Sequence, residues 1–163
     1  MKRPSATKPS LSLPELVFFT DRDLGKVVPR LLQEHGLAVE RYFDHFDEGV
    51  RVADNEWLLY AAQRRWIALS HDDNIRRDNE AVRTVMESSG RLFILRGALP
   101  PRELAGIFLE SLDSVLGLIE RHDQAFIANV RRSAHQGGLL RSSAHLMLTF
   151  EAWRARKATR DKV

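Results

Sequence analysis

Two apolar runs in this chain end on carboxylates. Val17-Phe18-Phe19-Thr20 leads into Asp21-Arg22-Asp23, and Trp66-Ile67-Ala68-Leu69-Ser70 leads into His71-Asp72-Asp73. Short runs of β-formers without alternation predict strands covered on both faces, as in a parallel sheet. In open α/β sheets, ligands sit beyond the carboxyl ends of the strands, where Asp21 and Asp72 stand. If the two strands are neighbours, these carboxylates converge, and like charges a few ångströms apart call for a cation. The chain has no cysteine, so the ligands on offer are hard oxygens, which favour Mg²⁺ or Mn²⁺. Such a cation polarises a phosphodiester and activates water.

Each residue also has a plain structural reading. Asp21 alone is a loop residue or helix cap as readily as a ligand. Asp54, ahead of Asn55-Glu56-Trp57-Leu58-Leu59-Tyr60-Ala61-Ala62, is fully explained as a helix N-cap. Glu56 complements the helix dipole, and Asp72 and Asp73 suit a turn. Trp57 and Trp66 read as core, and His45 and His71 as packed or surface histidines before ligands. Arg22, Lys26, Arg76 and Arg77 flank the acidic residues, either to hold phosphate or as solvated charges. The joint placement of the acidic groups carries the chemical reading.

The elements that must position them alternate. A helix is expected from about residue 25 to Glu34, with Val27, Val28, Leu31 and Leu32 on its apolar face. Leu37 to Tyr42 reads as a strand, and residues 44–49 as a polar loop. Asp78 or Asn79 caps a helix carrying Val82, Val85 and Met86, and Leu92 to Leu95 is a strand. Pro100-Pro101 opens one long amphipathic helix reaching Ile119. Ala125 to Val130 is expected as a short strand at a sheet edge, Gly137-Gly138 as a turn, and Ser142 to Lys157 as a final helix. The β-α-β-α order predicts an α/β three-layer sandwich with a mainly parallel central sheet.

The 163 residues are 44% hydrophobic and 29% charged, with net charge +3. That suits one soluble domain, taken as residues 13–163, behind a basic, disordered arm at 1–12. The arm lacks the pattern of a secretory signal, and no apolar run approaches the roughly 20 residues of a membrane span. A cytoplasmic location follows as an expectation. Arginine dominates the cations, which permits nucleic-acid contact.

The segments Phe18-Phe19-Thr20-Asp21-Arg22-Asp23-Leu24-Gly25, Asp54-Asn55-Glu56-Trp57-Leu58 and Leu69-Ser70-His71-Asp72-Asp73-Asn74-Ile75, in that order, resemble the PIN-like domains of VapC-type toxins. The resemblance covers about residues 17–95. It implies a PIN-like fold and a Mg²⁺-dependent endoribonuclease, the toxin of a toxin–antitoxin pair, with RNA as substrate and a small antitoxin protein as partner. It leaves a homodimer open. It carries the metal carboxylates over to Asp21, Asp54 and Asp72, with Asp23, Glu56 and Asp73 as supports. Many relatives have a further Asp where this chain has Asn74. The basic segment Trp153 to Lys162 is a candidate contact for the antitoxin or for RNA.

Three other readings compete. A receiver-type domain and a haloacid-dehalogenase-type phosphohydrolase using Asp21 and Asp23 both require a late lysine, and none lies between Lys26 and Lys157. A non-catalytic PIN-like binding module would keep the fold without the reaction.

Overall fold

The computed structural model describes residues 15–134 and 137–162; the arm at 1–12 lies outside them. Six strands form one sheet in the order β2-β1-β3-β4-β5-β6. They are β1 (Val17–Thr20), β2 (Ala38–Arg41), β3 (Ile67–Ser70), β4 (Arg91–Leu95), β5 (Phe126–Ala134) and β6 (Leu140–Thr149). All neighbours run parallel except β5 and β6. β1 and β3 are therefore adjacent, as convergence of Asp21 and Asp72 requires.

Helices cover both faces. Phe18, Leu69, Phe93 and Ala128 pack into one apolar cluster with α1 (Val27–Glu34), α5 (Pro101–Glu110) and α6 (Leu112–Arg121). Phe19, Ala68, Leu92, Ile94 and Ile127 face the other way, into a cluster with α2 (Tyr42–His45), α3 (Asp54–Gln63) and α4 (Asn79–Glu87). Period-two alternation along fully buried strands divides the two cores. Asp78 caps α4 by accepting from the Glu80 and Ala81 amides at 3.0 and 3.2 Å. Trp57 is 1% exposed, and Phe19 stacks between it and Trp66, with centroids at 5.9 and 5.8 Å.

Four expectations are corrected. Ser142–Lys157 is not one helix: β6 runs to Thr149, whose hydroxyl caps α7 (Phe150–Asp161). β5 is not an edge, because β6 covers it from Phe126 to Ala134. The long helix breaks at the buried Ser111, whose hydroxyl donates to the Ile107 carbonyl at 2.7 Å. The loop expected at 44–49 begins inside α2. Among the described residues no helix is long and apolar enough to cross a membrane.

Candidate active site

Register brings the strand ends together. Thr20 pairs with Leu69, and the Asp21 amide extends the ladder to the Leu69 carbonyl at 2.9 Å. The next residue on each strand is thus Asp21 on β1 and Ser70 on β3. Asp21 is 7% exposed and Ser70 fully buried. The Ser70 hydroxyl lies 2.9 Å from Asp21 Oδ2 and 3.2 Å from Asp23 Oδ2, and accepts from the Asp72 amide at 3.1 Å. One hydroxyl side chain thereby ties three acidic residues to one point.

Local turns aim the carboxylates. Asp21 caps the 3₁₀ turn Arg22–Leu24, its Oδ1 accepting from the Arg22 amide at 2.6 Å. Gly25 closes that turn at φ +61, a left-handed conformation that favours glycine. Asp23 Oδ2 also accepts from the His71 amide at 3.0 Å. Asp72 caps the 3₁₀ turn Asp73–Arg77 through the Asn74 amide at 2.9 Å.

Asp54 is not the N-cap expected from the sequence. The cap lies one residue earlier, on Ala53, whose carbonyl accepts from the Glu56 and Trp57 amides. Asp54 Oδ1 instead accepts from Trp57 Nε1 at 3.1 Å, which anchors the carboxylate to the core.

Asp21, Asp23, Asp54 and Asp72 all line one cavity of about 400 Å³, with Arg22, Tyr42, Arg51, Val52 and Trp57. Glu56 is exposed and does not line it. Asp73 turns away to Arg76 at 3.0 Å and Arg96 at 3.5 Å. Of the flanking cations only Arg22 reaches the cavity. Lys26 pairs with Glu48 at 3.2 Å, Arg76 lines a different groove, and Arg77 is exposed. His45 is held by Tyr60 Oη and Glu40 at 2.8 Å each, and His71 Nδ1 by the Leu95 carbonyl at 2.8 Å.

Ser70, Tyr42 and Arg51 escaped the sequence reading. Ser70 had a signal, as the last residue of the strand beside Asp21. Arg51 had none; the loop ahead of α3 brings it in.

Electrostatics set the cavity's character. Burial, then the Asp23 charge, push the Asp21 carboxyl up to about 8. Burial also raises Asp23, against hydrogen bonds from the His71 amide, Asp21 and Ser70. A buried carboxyl that resists ionisation beside further carboxylates marks a site short of positive charge. The donor set is oxygen only, which fits a hard divalent cation. Among the described residues no group of three or more His, Cys, Asp or Glu side chains is arranged to hold a metal ion unaided. Any cation there would complete its shell with water, as Mg²⁺ commonly does.

A family model described as a PIN-like domain matches residues 16–97, from just before β1 to just past β4. The chain belongs to the PIN-like domain family. It is also similar to a Mycobacterium tuberculosis (strain ATCC 25618 / H37Rv) protein named "Putative ribonuclease VapC45", 34% identical over 101 residues, spanning 60% of this chain and 73% of that protein. No solved structure matches the chain significantly.

Proposed function

We propose that this protein is a metal-dependent endoribonuclease that hydrolyses RNA phosphodiester bonds, and the toxin of a toxin–antitoxin pair. The observation that carries this reading is the shared cavity of Asp21, Asp23, Asp54 and Asp72, with Asp21 buried and its carboxyl held up at about 8. Family membership and the relative's printed name support it.

Asp21 and Asp72 would hold Mg²⁺ or Mn²⁺, with Asp54 completing the acidic pocket directly or through water. When bound, the cation would activate water and stabilise charge on the scissile phosphate. Ser70 fixes the Asp21 and Asp23 oxygens and keeps them from swinging apart. Trp57 restrains Asp54 through its indole N–H. Arg22 and Arg51 on the cavity wall balance phosphate charge. The carboxylates need not act as nucleophiles.

The test is cleavage of a labelled RNA by the purified protein with Mg²⁺ or Mn²⁺ and with excess chelator. Cleavage abolished by chelator and restored by metal supports the reading; RNA left intact under all conditions contradicts it and favours a binding module. The partner is tested separately. Expression with its neighbouring genes should co-purify a small protein that suppresses cleavage, and recovery of this chain alone counts against the toxin assignment.

A further inference from the structure

A second groove, of about 640 Å³, runs between α4 and the C-terminal α7. Arg76, Arg83, Arg156, Lys157 and Arg160 line it, against two acids, Glu80 and Asp161. Arg76 is engaged by Asp73, and Lys157 approaches Glu87 at 3.8 Å. Among the described residues Arg83, Arg156 and Arg160 form no ion pair. All three are exposed. α7 buries none of its residues; only Phe150 and Trp153 pack against the core below. The helix therefore serves its cations more than the core. One wall of the groove belongs to the matched PIN-like region, and the other, β6 and α7, lies beyond residue 97.

The groove adjoins the acidic cavity at two points. Arg76 sits in the 3₁₀ turn that Asp72 caps. At the other lip, Asn55, next to Asp54, donates to Glu80 at 3.4 Å. An acidic, cation-seeking pocket thus opens beside a strip of unpaired guanidinium groups.

We propose that the α4–α7 groove is a binding site for the phosphate backbone of single-stranded RNA, with Arg83, Arg156 and Arg160 contacting phosphates flanking the one held at the acidic cavity. The identity of the polymer rests on the ribonuclease reading; the anion-binding groove does not. RNA is favoured over a protein occupant because cations dominate the lining: five of its eleven residues are Arg or Lys, against two acids and three apolar residues, Val82, Leu148 and Trp153. Guanidinium groups match phosphate in a two-pronged geometry, and each contact releases counterions.

The experiment measures fluorescence anisotropy of a labelled single-stranded RNA against the full chain carrying Asp21→Asn, across a salt series. The same background with Arg83→Gln, Arg156→Gln and Arg160→Gln together is expected to bind roughly tenfold or more weakly at low salt, with the slope of log affinity against log salt reduced by about 2. Lysine at all three positions should restore most of the slope, and thermal melts of the exposed-site variants should match the background. On an otherwise unaltered chain, the triple-Gln protein should lose cleavage of long RNA while retaining that of a trinucleotide. Unchanged slope, no RNA affinity in the background protein, or loss of a co-purifying protein with RNA affinity intact would each overturn the proposal. A chain that cuts no RNA but shows the slope change refutes the nuclease and keeps the groove.

Discussion

The Ser70 hydroxyl lies 2.9 Å from the Asp21 carboxylate across 49 positions of sequence, and 3.2 Å from Asp23. A hydroxyl has one proton to donate, so it cannot satisfy both oxygens at once. Burial, then the Asp23 charge, hold the Asp21 carboxyl up at about 8, and the proton kept there supplies the missing donor, a hydrogen bond that lowers Asp23 against burial. Ser70→Ala removes the tie. Cleavage should fall about 10–100-fold, and stability by about 1–3 kcal/mol, with Ser70→Thr recovering most of both. Cleavage rates and denaturant melts of the two variants check this.

Stability of the metal-free protein should depend on pH through Asp21. Its folded value of about 8 lies above the 3.8 of an ordinary aspartate, so the folded state binds the proton more tightly. Stability is then greatest below about 4 with respect to this group and falls as pH rises toward 8. Asp23, raised as well, adds to the same fall. Denaturant melts in chelator from pH 5 to 8 should show the decline, and Asp21→Asn should flatten it. A flat profile in the parent contradicts the burial of an uncompensated carboxyl.

Divalent cation should reverse that decline. Binding to the folded state alone stabilises by about 2.7 kcal/mol at a hundred times Kd. The melting temperature should rise with Mg²⁺ or Mn²⁺, and the rise should shrink in Asp21→Asn and Asp72→Asn. Identical shifts in parent and variants would place the cation elsewhere.

Asp54 yields to a finer comparison. Asp54→Asn keeps the oxygen that accepts from Trp57 Nε1, so melts should change little while cleavage falls. Asp54→Ala should lose that bond as well and cost about 1 kcal/mol. Asp78→Asn is the control, since Asn caps helices nearly as well as Asp and should leave both readings near the parent.

The central parallel strands β1, β3 and β4 were legible because they are buried on both faces: Phe18, Phe19, Leu69 and Leu92 to Leu95 leave almost no surface. That made continuous apolar runs, and the acids behind them marked the ligand edge. β6 is hidden in the sequence for the opposite reason. Its residues are all exposed or half-buried, and Ala144, Leu146, Met147 and Leu148 are good helix formers. Pairing with β5 overrides that propensity. The break at Ser111 left no trace because the apolar stripe continues through it, from Phe108 to Val115. At the start of α3 the sequence pattern fits a cap at Asp54 or at Ala53, yet that one residue decides whether the Asp54 carboxylate caps the helix or faces the cavity.

The central claim, that Asp21 and Asp72 hold the cation on which cleavage depends, is tested most directly by RNA cleavage with Asp21→Asn and Asp72→Asn in saturating Mg²⁺ or Mn²⁺, alongside their melts. The expected result is loss of cleavage by about a hundredfold or more with the fold intact, and metal-free Asp21→Asn at least as stable as the parent, since an amide buried there carries no charge. Cleavage at the parental rate by either variant would contradict the assignment.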